Sequence, residues 1–261
     1  MKYSPMKYRC EAASVEGFVQ QLACNYLPHG YWFFVTGEVP IGKDPAAVDR
    51  KLIEKYRIDC SRSARARRKQ AGLANLHYLR FDRFFVLLAT HGKHPFFEEE
   101  AAGIRDVRRV PLHFGGYSVT VKRGDYRRKV DEYEPAQRDD RYRVRVSMGR
   151  EQLRELKAHL LELACHRTAE ALAAILYRLP FEPYAPVRRQ LLSLLRWINQ
   201  ARRAAGYADV PTTALRFKRQ IVEPFSALEP SVNSLPYPAQ VAHCELGKSE
   251  VGSVWRTEPR D

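Results

Sequence analysis

Three groups of residues in this chain have types and spacings that chemistry can use. The first is GEVPIGKD, Gly37 to Asp44, which fits the G-x-x-x-x-G-K pattern of a loop that cradles phosphates. It lies between a strand-like run and a helix start, as such a loop must. Asp44, however, stands where a Ser or Thr hydroxyl would meet magnesium, and Glu38 adds another negative charge. The segment therefore reads first as a strand-to-helix turn capped by Asp44, with nucleotide binding a distant alternative. The second group is THGKHPFFEEE at 90–100, where His91, His94 and Glu98 to Glu100 offer imidazoles and carboxylates, a ligand set for a divalent ion such as Mg2+ or Mn2+. The competing reading is a loop histidine pair before a helix whose acidic first turn suits the dipole.

The third group is arginine. The segment RIDCSRSARARRK, 57–69, carries Arg62, Arg65, Arg67, Arg68 and Lys69 in a helix-like Ala/Arg pattern with no apolar stripe. Something other than core packing must order it, and a phosphate backbone would do so through bidentate guanidinium contacts. Further clusters are Lys122 with Arg127, Arg128 and Lys129; Arg143 with Arg145; Arg188 with Arg189; and Arg216, Lys218 and Arg219. The chain holds 44 Lys and Arg against 30 Asp and Glu, a formal charge of +14. That excess suits a polyanion, because each neutralised phosphate releases condensed counterions.

Tyr126, in YRRK, combines with the histidine pair into a pattern that resembles the HUH endonuclease group of rolling-circle initiators and single-strand transposases. The resemblance covers roughly residues 31 to 129. It implies a metal held by His91 and His94, a ferredoxin-like sheet, and Tyr126 as nucleophile, leaving a phosphotyrosine link. Those families place their histidines as His-hydrophobic-His on a strand, whereas Gly92 and Lys93 separate the two here. Their tyrosine usually rides a helix, and Tyr126 sits in a charged loop.

Composition excludes other classes. No apolar run approaches the roughly 20 residues of a membrane span, and MKYSPMKYRC has no apolar core of a secretory signal. Five scattered cysteines without a C-x-x-C pair disfavour a disulfide framework or zinc ribbon. A cytoplasmic protein is expected, with no membrane partner.

The elements that must position these groups follow from periodicity. Helices are predicted at 14–27, at 44–56 behind Asp44-Pro45 with a Val48, Leu52, Tyr56 stripe, at 96–106, over one long run 151–179, at 187–205 and at 214–223. Strands are predicted at 31–36, 73–81, 83–90, 107–114, 117–122 and 142–147. In the last, Tyr142, Val144 and Val146 should face the core, with Arg143 and Arg145 outward beside Thr120 and Lys122. Trp32, Phe33 and Phe34 read as core, and 122–141 as a mobile charged hairpin loop. The last two helices form a weak helix-turn-helix match. The order β-α-β-β-α-β suggests an α+β fold: a ferredoxin-like mixed or antiparallel sheet with flanking helices over 1–149, an all-helical region over 150–230, and a flexible tail over 231–261. The functional expectation is a basic nucleic-acid-binding protein, DNA ahead of RNA, in replication or mobile-element processing. An HUH-like metal-dependent nickase is the alternative.

Overall fold

Four helices start at side-chain caps. Ser14 Oγ accepts the Gly17 N–H, Asp44 accepts from Ala46 and Ala47, Ser61 from Ala64, and Thr168 from Ala171. Each satisfies amide groups that a helix start leaves open. The computed structural model describes residues 8–124, 126–128, 135 and 137–225, with 126–128 and 137–139 as main chain only. The expected tail at 231–261 and Lys129 lie outside the described residues.

Helix α1 (Val15–Gln20) runs on into a π-helical turn, Gln21–Tyr26. Strand β1 (Phe33–Glu38) follows, then α2 (Pro45–Lys55) and α3 (Arg62–Gln70). Next come β2 (Leu76–Phe81), β3 (Phe84–Ala89), the short α4 (Phe96–Glu99) and β4 (Arg105–Asp106). These four strands form an antiparallel sheet in the order β2-β3-β1-β4, with helices in both crossovers, which is the ferredoxin-like arrangement. Both faces are covered. Leu87, Leu76 and Tyr78 pack with Ile53, Tyr56, Ile58 and Phe96, while Phe34, Leu79, Val86 and Leu88 pack with Phe18 and Leu22 on the other side. The edge of β2 is capped by residues 10–12: the Ala12 N–H donates to Arg80 O at 2.7 Å and the Arg80 N–H to Cys10 O at 2.8 Å.

The strands after Asp106 do not join that sheet, contrary to the single sheet expected through residue 147. The N–H groups of Arg109 and Val110 fold back onto Asp106 O, each at 2.8 Å, so β4 ends after two residues. A second antiparallel sheet, β5-β6-β9, is then built from β5 (Leu112–Phe114), β6 (Tyr117–Arg123) and β9 (Tyr142–Met148). Between β6 and β9, the expected charged loop contains a paired ribbon, β7 (Tyr126–Arg128) with β8 (Gln137–Asp139).

Three helical expectations also change. The predicted helix 96–106 closes after one turn, where Gly103 and Ile104 N–H groups turn back to Glu100 O. The long run 151–179 divides into α5 (Arg150–Ala164) and α6 (Ala169–Tyr177), followed by α7 (Ala185–Ala204). Arg202 causes this break to be stable. Its guanidinium, only 3% exposed, donates to Ala164 O at 2.6 Å and Arg167 O at 2.8 Å, carbonyls freed by the break. The helix expected at 214–223 is a single 3-10 turn, Thr212–Ala214, followed by an extended strap. Gln20 holds that strap from both sides, donating to Val222 O at 2.8 Å and accepting from Val222 N at 3.2 Å. No helix-turn-helix exists here. Among the described residues no helix is long and apolar enough to cross a membrane.

A buried ionic cluster ties α2 to the sheet. Asp49, 2% exposed, accepts from Arg80 Nε at 2.9 Å, Tyr78 Oη at 2.6 Å and the Cys10 thiol at 3.5 Å. Removing one member strands a charge in the core. Asp49→Ala should therefore cost about 3–5 kcal/mol by urea unfolding, whereas Asp49→Leu with Arg80→Met should cost far less. Equal losses in both would show that the pair does not behave as a unit.

Candidate nucleic-acid interface

Helix α3 has no buried residue, so hydrophobic packing does not hold it. Its inner face is arginine. Arg65 donates from Nη1 to Leu76 O at 2.7 Å and from Nη2 to Ile58 O at 2.6 Å, while Asn75 Nδ2 bonds back to Arg65 O at 2.9 Å. Arg68 donates to Arg57 O at 3.2 Å. The order expected from a phosphate partner is therefore supplied internally, and Arg65 and Arg68 are corrected from ligand contacts to fasteners. Arg62, Arg67 and Lys69 are exposed, and their side chains make no hydrogen bond or ion pair with any described residue.

The remaining cations divide the same way. Arg216 donates to Leu179 O at 2.7 Å and pairs with the buried Glu182 at 3.4 Å, so it too is internal. Arg219 lies 4.9 Å over the Tyr184 ring and contacts Cys24 Sγ at 3.3 Å, and Arg188 reaches Phe217 O at 3.3 Å. Arg189 and Lys218 are exposed. In the second sheet the expected register is present: Lys122 stands opposite Arg143 and Thr120 opposite Arg145, with Val146 buried. The positions of β6 and β9 opposite the core side are Ser118, Thr120, Lys122, Arg143, Arg145 and Ser147, of which Lys122 and Arg143 are exposed and the others half-buried. The Arg127 and Arg128 main chain lies on the β7 ribbon beside this sheet in sequence.

Tyr142 departs from expectation. It shares the side of Val144 and Val146 but lies at the start of the strand, beyond the core, and is 43% exposed. Its ring meets Trp32 at 4.7 Å between centroids. Arg108 completes the group, its guanidinium 4.4 Å from the Trp32 centroid and 5.9 Å from that of Tyr142. Asp106 grips Arg108 at 2.7 and 2.9 Å. Burial pushes the Asp106 carboxyl up, but the Arg108 bonds outweigh it and hold the group below the usual range. Trp32 and Phe33, expected in the core, are half-buried at its rim.

The two catalytic expectations gain no support from the geometry. In the 37–44 segment, Arg83 donates to the carbonyls of Val39, Pro40 and Lys43. Carbonyl oxygens wrapped around a cation are the opposite polarity from amides around a phosphate. Near the histidines, Gly92 adopts φ +137° and passes so close to the chain that a Cβ would lie 2.5 Å from Ala74 N. His94 Nδ1 accepts the Phe96 N–H at 3.1 Å, so this imidazole serves the start of α4. Burial, then Arg68, lowers its pKa. His91 is exposed with its ring 6.1 Å from Phe33. Among the described residues no group of three or more His, Cys, Asp or Glu side chains could hold a metal ion. Tyr126 is main chain on β7, paired with Asp139.

A different histidine is the one embedded among tyrosines. His77 has ring centroids of Tyr26 and Tyr31 at 4.4 and 4.6 Å, and its Nδ1 is 2.8 Å from Tyr8 Oη. Tyr8 Oη donates to Tyr78 O at 3.0 Å and accepts the Tyr78 N–H at 3.1 Å. Its one hydrogen being so used, His77 Nδ1–H donates to Tyr8, which fixes the neutral tautomer. Burial, then Arg65 and His29, lowers the His77 pKa to about 3, and burial raises Tyr26 to about 12. No tyrosinate or imidazolium is favoured there. Periodicity could not have found this cluster, since Tyr8, Tyr26, Tyr31 and His77 meet only in three dimensions.

No family model matches the chain, and no curated protein matches it.

A histidine whose folded pKa lies below its unfolded value near 6.5 leaves the unfolded state binding more protons between the two. Stability is then full above about pH 6.5 and falls as the pH is lowered toward 3. Urea midpoints measured between pH 7 and about 4.5 should decline, and His77→Gln should flatten the decline. An unchanged slope in His77→Gln would show that other groups carry it.

Proposed function

We propose that this protein binds nucleic acid through outward-facing arginine and lysine side chains, DNA ahead of RNA. The observation that carries the reading is α3: a helix held by two of its arginines while Arg62, Arg67 and Lys69 face solvent without a protein partner. Cations on a rigid element lose little entropy on meeting phosphates and neutralise several at once. The cations Lys122, Arg143 and Arg145 on one side of β6 and β9 support the same reading, as does the formal charge of +14. A cytoplasmic setting belongs to this proposal, consistent with the free thiols of Cys10, Cys24, Cys60 and Cys165 among the described residues.

Anisotropy titration of labelled DNA across a salt series tests it. With six to ten phosphate contacts, affinity should fall on the order of 10³-fold or more between about 50 and 200 mM salt. Replacing Arg62, Arg67 and Lys69 together by Ala should reduce the slope of log K against log salt by roughly two to three. The fold should survive, because none of the three touches the core. Undetectable binding to DNA and RNA at the lowest salt, or a slope unchanged in the triple variant, would overturn the proposal.

A further inference from the structure

We propose that the nucleic acid is engaged as a single strand, with one base stacked on the exposed face of Tyr142. The inference rests on the nucleic-acid reading above but comes from a separate observation. Tyr142 is the first residue of β9, where the strand has overshot the core; its ring is 43% exposed and packs against Trp32 at 4.7 Å between centroids. The backing is rigid. Trp32 is fixed by its Nε1–H donating to Leu27 O at 3.1 Å, and Arg108 by the bidentate grip of Asp106. A second guanidinium, Arg123, is paired across the strands with Tyr142 and lies 5.9 Å from its ring centroid. The next pair inward is Lys122 with Arg143. One aromatic surface, held from behind and followed along the strand by cations, matches an unstacked base and the phosphates beside it.

The chemistry selects the strandedness. In a duplex every base face is already covered by its neighbours, and an aromatic ring at the rim gains nothing from it. An unpaired base has a free π-face, and stacking on a side chain of this kind is worth roughly a factor of 5 to 100 in affinity. The contact reads no base edge, so it is tolerant of sequence. The central strands cannot serve instead, because both faces of the β2-β3-β1-β4 sheet are buried.

The test uses the full chain, a short labelled single strand, the same strand with its bases removed, and the duplex. Tyr142→Ala should weaken single-strand binding about 5- to 100-fold while leaving the duplex affinity and the salt slope unchanged, and Tyr142→Phe should retain most of the wild-type affinity. The abasic strand should lose a similar factor with wild type and none with Tyr142→Ala. The abasic arm needs no variant, so it stands even if Tyr142→Ala folds poorly. Equal binding of normal and abasic strands by wild type, or equal loss of duplex and single-strand affinity in Tyr142→Ala, would overturn the stacking proposal alone. Failure of wild type to bind any of the three at low salt would overturn the nucleic-acid reading with it.

Discussion

A guanidinium offers five N–H donors in one plane and no acceptor, and at several points in this protein that fork closes the main chain where it leaves regular structure. Arg65 joins the end of the α2 connection to β2 through two carbonyls. Arg83 gathers three carbonyls of the turn before α2. Arg202 holds the gap between α5 and α6, and Arg216 the turn after α6. A buried carbonyl at such a break, as at Ala164, has lost its helical partner, and leaving it unmet would cost about 1–3 kcal/mol. Lysine could not substitute, since its ammonium cannot reach two carbonyls in a fixed plane.

This use of arginine determines what remains for a ligand. Cations consumed by the fold are half-buried or buried, whereas Arg62, Arg67 and Lys69 of α3 face solvent. The ferredoxin-like sheet itself is closed on one side by α2 and α4 and on the other by α1 and the remaining core. Aromatic residues of β1 are therefore unavailable in mid-strand. At the rim, where Trp32 precedes β1 and Tyr142 opens β9, an aromatic surface meets cations and water together.

Much of this fold was legible in the residues. Asp44-Pro45 starts a helix because a carboxylate cap and a missing N–H both suit its first turn, and the alternation of 142–147 placed Arg143 and Arg145 opposite Thr120 and Lys122. The misreadings share a cause. Arg65 and Arg67 look alike in sequence, yet only Arg65 points at Ile58 and Leu76, whose carbonyls arrive from elsewhere in the chain. Leu153 to Leu179 keeps a helical period across a real break because α5 and α6 pack into the same core, and Arg202, far along the sequence, stabilises the gap. Tyr142 follows the apolar side of its strand correctly, but periodicity contains no information about where the core stops. At the histidine pair, the close approach of Gly92 to the chain and the Phe96 N–H bond to His94 account for the spacing.

The central claim is that two populations of arginine exist, one consumed by the fold and one available to phosphate. Arginine-selective chemical modification, read by mass spectrometry with and without a DNA oligonucleotide, tests it site by site. Arg62 and Arg67 should react quickly in the free protein and become protected when DNA is added, while Arg65, Arg80, Arg202 and Arg216 react slowly in both states. Fast reaction of Arg65 in the free protein, or no protection of Arg62 and Arg67 by DNA, would contradict the account.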